Sequence, residues 1–240
     1  MNEFAQSDGF RFNRAGFLVG SLATIGAGLC EQAIAIAAPP AGITSTVPPQ
    51  QLLNRLMAGN KRFVNNQLPR QGSLIEKREA LIDTQAPFAS ILTCADSRVV
   101  PNFVFVQGLG DLFVERVAGN FPDDVVIGSI EYAVEHLGTR VIMVLGHQNC
   151  GAVKAVYSAI ETNTPLPAHL LAIQQAMAPG IAGVVKAKGS MDQAISANVN
   201  AAVAKLRISP PIISKGAADG SLLVVGGVYH LANGEVKLVS

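Results

Sequence analysis

The chain has 240 residues, of which 49% are hydrophobic and 15% charged. That is enough for one domain, or at most two, around a sizeable core. The formal net charge is +1, so no strong field points to nucleic acid or to an acidic partner. Three cysteines are too few for a disulfide scaffold.

The N-terminal stretch differs in character from the rest. Arg11 and Arg14 precede an uncharged, mostly apolar run from Ala15 to Cys30. Ala33-Ile34-Ala35 and Ala35-Ile36-Ala37 both offer small-x-small cleavage patterns. The run is short for a spanning helix. Residues 1–38 therefore read as a secretory signal, with Asn13-Arg14 similar to a degraded twin-arginine pair; the alternative is an uncleaved extension. The expectation is export, to the periplasm, with no stable membrane span in the mature protein. Pro39, Pro40, Pro48 and Pro49 mark 39–50 as a linker. Residues 51–240 remain as the folded domain.

Leu52, Leu53, Leu56, Met57 and Phe63 recur at helical spacing. Residues 74–84 read as a second, more charged helix. The apolar run 88–93 reads as a buried strand, and Cys94-Ala95-Asp96-Ser97-Arg98 follow it. They fall at the strand's carboxyl end, where open α/β sheets place their sites. Pro101 starts a short helical or turn segment. Residues 112–117 read as a second strand. Asp123 and Asp124 open a helix, where carboxylates meet the positive end of the dipole, and it stops at Gly138. Residues 140–145 are a third strand, apolar from Val141 onward as expected when both faces are covered. Gly146-His147-Gln148-Asn149-Cys150-Gly151 follow, then a helix over 152–160. Residues 166–206 read as largely helical, broken near Pro179-Gly180 and Gly189-Ser190. A fourth strand spans 222–229. Asn233-Gly234 signals a tight turn, and 235–239 returns as a strand. The fold class expected is α/β: a mainly parallel central sheet of about four strands, an antiparallel C-terminal edge strand, and helices on its faces.

His147-x-x-Cys150 follows the third strand as Cys94 follows the first, so both pieces reach the same edge of a parallel sheet. Two thiols and an imidazole suit Zn²⁺. Three protein ligands would leave a fourth position open, the mark of a catalytic site. Spacing alone leaves three readings standing: a metal site, two core cysteines, or a disulfide in an exported protein.

Cys94-Ala95-Asp96-Ser97-Arg98 with His147-x-x-Cys150 resembles the signature of the β-class carbonic anhydrases. Gly110-Asp111-Leu112-Phe113-Val114, Arg116-Val117-Ala118-Gly119-Asn120, Gly128-Ser129-Ile130-Glu131-Tyr132-Ala133 and Val224-Val225-Gly226-Gly227-Val228-Tyr229 are similar to the same family. The resemblance spans roughly residues 50–240. It implies zinc held by Cys94, His147 and Cys150, an Asp96–Arg98 catalytic dyad, and reversible hydration of CO2 to bicarbonate and a proton by a hydroxide made at the metal. It also implies a homodimer or dimer-based larger oligomer, with Gln85 and the Gly151 amide as substrate-binding groups and Gln85 supplied from the neighbouring subunit. Members regulated by bicarbonate carry a Trp where this chain has Ile91, and the chain has no Trp. Gln85 stands where the family's plant-like open members carry Gln. The expectation is an open site, with Asp96 turned to Arg98 rather than to the metal. Val106 and His230 depart from residues common in the family. Rival readings are a COS or CS2 hydrolase of the same fold and a non-catalytic zinc-binding or thiol redox protein.

Overall fold

Four hydrophobic runs build the parallel part of one sheet. In the computed structural model, which describes residues 46–67 and 74–240, they are β1 (Ala89–Thr93), β2 (Leu112–Arg116), β3 (Val141–His147) and β4 (Leu223–Tyr229). β5 (Val236–Leu238) pairs antiparallel with β4, and the sheet order is β2-β1-β3-β4-β5. The expected α/β architecture with an antiparallel C-terminal edge is the one observed. The expected signal over 1–38 lies outside the described residues.

Helices cover both faces, as parallel strands require. They are α1 (Pro49–Val64), α2 (Leu74–Ala80), α3 (Pro101–Val104), α4 (Asp124–Leu137), α5 (Gly151–Glu161), α6 (Leu170–Lys186), α7 (Met191–Arg207) and α8 (Ile212–Asp219). Successive strand residues point to opposite faces, and two cores follow. Leu92, Ile142, Val144 and Val224 pack with residues of α4 to α8. Ile91, Met143, Leu145 and Val225 pack with residues of α1 and α3. Close approach depends on glycine at two places. A Cβ at Gly146 would stand 2.5 Å from Val199 on α7, and one at Gly59 would stand 1.7 Å from the Phe105 carbonyl oxygen.

Local signals explain most boundaries. Pro49 occupies the first turn of α1, where its missing N–H is no loss, so the helix begins two residues before the linker boundary read from composition. Asp123 caps α4 by accepting from the Val126 N–H at 2.8 Å, and Gly138 ends the helix in a left-handed conformation. Ser190 and Gln193 form a capping box at the start of α7, which accounts for the break expected there. The break expected at Pro179-Gly180 is absent: α6 runs through Pro179. Gly180 lets that helix approach Ala201, to which a Cβ would come within 2.7 Å, and this packing offsets the single lost backbone bond. α2 ends at Ala80 rather than 84. The sequence reading assigned no element to α8, which buries only Ile213 and Gly216, too few to make a period.

The chain passes from β1 outward to β2, then returns across β1 to β3. The β1–β3 border is therefore a topological switch point, where connections leave in opposite directions and open a crevice at the carboxyl ends of the strands. Thr93 pairs with Leu145 across that border, which brings Cys94 beside the end of β3.

Candidate metal centre

β1 delivers Cys94 to the crevice and β3 delivers His147 as its last residue. Cys150 follows after a two-residue turn, at the position that caps α5. All three are buried, and their donor atoms lie within 4.8 Å of one another. Both cysteines are free thiols, so the disulfide reading is not realised. The core reading fails on His147. Its Nδ1 faces the Gln148 carbonyl oxygen at 2.9 Å, which makes Nδ1 the donor and leaves a lone pair on Nε2. That Nε2 is buried with no hydrogen-bond partner. An orphaned imidazole nitrogen against two thiols is a donor set in want of a cation, so the residues fit a zinc-type ion.

The electrostatics agree with anionic sulfur here. The hydrogen bond from Cys150 is the main cause that drives the Cys94 thiol well below its usual range; His147 and the Gly119 amide add to it, against burial. Cys150 is driven up by the same contact and by burial. The pair behaves as two thiols sharing one proton. Burial disfavours the His147 imidazolium, but the Cys94 sulfur close by outweighs it and raises its pKa.

Asp96 stands beside this group, with Oδ2 3.8 Å from His147 Nε2. Arg98 grips it from three donors. The Arg98 backbone N–H and Nε donate to Oδ1 at 2.9 Å, and Nη2 donates to Oδ2 at 2.8 Å. These bonds, the side-chain ones first, hold the Asp96 carboxyl well below the usual carboxylate range. Arg116 was not singled out from sequence as a site residue. It ties down the backbone of the same turn, donating to the Cys94 carbonyl oxygen at 3.3 Å and to that of Asp96 at 2.7 Å. Gly119 was missed in the same way, and its N–H donates to Cys94 Sγ at 3.3 Å. Both lie within Arg116-Val117-Ala118-Gly119-Asn120, a stretch whose family likeness was the available signal.

The two expected substrate-binding residues fare differently. Gly151 is the first residue of α5, exposed, and a Cβ there would meet nothing within 4 Å. Packing therefore does not require this glycine. Gln85 is exposed and precedes the amino end of β1, whereas Cys94 follows its carboxyl end. One chain does not bring the two together. Of the aromatic residues, Phe105 is fully buried core, while Phe103 and Tyr132 are exposed. Tyr132 stacks on His136 with ring centroids 5.0 Å apart.

Residues 89–236 match the family model described as carbonic anhydrase. A carbonic anhydrase of Mycolicibacterium smegmatis is 42% identical over 186 residues, covering 77% of this chain and 90% of that relative. The solved β-carbonic anhydrase CcaA superposes with a TM-score of 0.59 at 28% identity, covering 78% of this chain and 94% of that one. One of two tetrameric β-carbonic anhydrases of Sordaria macrospora does so with a TM-score of 0.59 at 25% identity, covering 79% and 94%.

Proposed function

The chain belongs to the carbonic anhydrases, in their β class, and from that premise we propose that it is a zinc enzyme whose Asp96–Arg98 pair directs the hydration of CO2. The observation that carries the proposal is the buried Cys94, His147 and Cys150 donor set with the unpartnered Nε2 of His147, flanked by a carboxylate already gripped by arginine. Zinc held by these residues would supply Lewis acidity that makes a hydroxide nucleophile available near neutral pH.

The protein's own groups do the rest. Asp96 is ionised at every working pH, because Arg98 stabilises the carboxylate and not the acid. Its carboxylate accepts a hydrogen bond from the attacking oxygen and so aims a lone pair at the CO2 carbon. Arg98 also removes the alternative in which Asp96 turns onto the metal, since leaving would break a two-pronged bond. This is the open form of the site. Arg116 keeps the backbone of the turn from following any rotation of Asp96. The Gly151 amide, at the positive end of α5, receives the bicarbonate charge. Gln85 reaches the site from a second copy of the chain in a homodimer or a larger, dimer-based oligomer. The overall change is CO2 plus water to bicarbonate plus a proton, which passes to buffer. The signal-like segment 1–38 fits export to the periplasm.

The test is stopped-flow CO2 hydration on the full chain together with a metal assay. About one zinc per chain with rapid hydration is the expected result. Bound zinc with no hydration at pH 8 and above would leave a zinc-binding protein without this activity. A zinc-loaded structure at neutral pH with Asp96 on the metal would refute the open form.

A further inference from the structure

The loop between β2 and α4 reaches the Cys94 sulfur, and α7 packs behind that loop. Gly119 is where they meet. Its N–H donates to Cys94 Sγ at 3.3 Å, and its carbonyl oxygen accepts from Asn198 Nδ2 at 2.8 Å. A carbonyl partner fixes which end of the Asn198 amide points to it. Asn198 is 3% exposed, on a face of α7 otherwise made of Ile195, Val199 and Ala202. A buried amide in an apolar face is costly without a matched partner, and here the partner is the residue bonded to Cys94.

Gly119 needs such a hold. It has φ +93°, and a Cβ there would stand 2.4 Å from the Met177 sulfur. Asn120, the next residue, also has a positive φ of 46°. Glycine adopts a positive φ freely and many other conformations besides, so local preference does not confine Gly119 to this one, and a positive φ is uncommon for the residue after it. The contacts from α7 supply the constraint. Lys205, seven residues after Asn198 and so on the same side of the helix, donates to the Pro122 carbonyl oxygen at 2.7 Å. The loop is thus gripped at two carbonyls by one helix.

We propose that Asn198 is a positioning residue of the metal centre: by holding the Gly119 carbonyl, it keeps the Gly119 N–H aimed at the Cys94 sulfur. A hydrogen bond donated to a metal-binding thiolate withdraws electron density from it and fixes its direction. Asn198 touches neither metal nor substrate and acts only through Gly119. The inference rests on the reading of Cys94 as a metal ligand.

The experiment uses the full chain with Co²⁺ in place of zinc. It compares wild type with Asn198→Leu, which removes the donor at similar size, and with Asn198→Asp, which replaces the donor by an acceptor. The expected result is a red shift of the sulfur-to-cobalt charge-transfer band, with metal affinity reduced about tenfold to a hundredfold. In wild type the Gly119 amide proton is expected downfield and protected from exchange. Should both variants fail to fold, that amide decides: an unshifted, rapidly exchanging Gly119 N–H overturns the proposal. A lower melting temperature with the band unmoved makes Asn198 merely structural and overturns it too. Wild type that takes up no Co²⁺ or zinc would instead defeat the metal-ligand reading itself, so the two failures are distinguishable.

Discussion

Within the turn after β1, three donors of Arg98 hold the Asp96 carboxylate, and this makes single substitutions informative. Asp96→Asn keeps the size of the side chain and removes its charge. Metal content is expected to stay near wild type while kcat falls on the order of a hundredfold, the lower end of the usual scale for losing a positioned proton-accepting group at the reacting centre. A rate equal to wild type would show that Asp96 has no part in the reaction. Glu115 on β2 offers a separate test, in stability. It is 8% exposed, and its only side-chain donor among the described residues is the Ser90 hydroxyl, at 3.0 and 3.2 Å from its two oxygens. Burial pushes its carboxyl up to about 7, with the Ser90 bond opposing. The folded state therefore holds this proton more tightly than the unfolded state. Stability is expected to fall as pH rises from the ordinary glutamate range through 7, then level off. The penalty is on the order of 3 kcal/mol. Denaturant titrations at pH 5 and pH 8 should show this loss in wild type and much less of it in Glu115→Gln.

At the scale of elements, α7 matters most because it both covers the sheet and supports the loop bearing Gly119. Its approach to β3 rests on Gly146, where a Cβ would fall 2.5 Å from Val199 Cγ2. Gly146→Ala is expected to cost about 1–3 kcal/mol through overpacking. Gly146→Ala combined with Val199→Ala should recover part of that loss, since the clashing methyl is gone. Thermal melts of the two single variants and the double variant measure the coupling. Strict additivity would mean that the two residues are not in the contact described. Because Gly146 directly precedes His147, a misplaced α7 is also expected to reduce metal content.

Taken whole, the fold brings two thiols and an unpartnered imidazole nitrogen together in its interior, an arrangement that favours a bound cation over an empty site. Chelation of zinc is therefore expected to lower the melting temperature. With free zinc a hundredfold above its dissociation constant, the linkage is about 2.7 kcal/mol, or roughly 5–10 °C for a chain of this size. Calorimetry with and without chelator reads it, and an unchanged midpoint would count against tight binding. On a sizing column the protein is expected to elute as a multiple of its 25.0 kDa chain, with Gln85→Ala losing rate but not zinc.

Sequence alone determined much of this molecule. β1, β3 and β4 are buried almost throughout, so their apolar composition shows them without reference to partners, while the half-buried β2 shows by its Leu112-Phe113-Val114 run. Asp123, Gly138 and Ser190 act within a few residues of themselves, so the ends of α4 and the start of α7 were legible too. Cys94, His147 and Cys150 could be picked out because metal chemistry restricts residue type, and because parallel strands end at a common edge. Spacing could not separate a metal site from core cysteines or a disulfide. That needed the free thiols and the stranded Nε2 of His147, which depend on how β1 and β3 lie side by side. The tertiary structure also decided that α6 continues through Pro179, that α8 exists, and that Arg116, Gly119 and Asn198 belong around the metal group. Asn198 is 104 residues from Cys94 along the chain, and no local pattern encodes a hydrogen bond that arises only when a helix packs behind a loop.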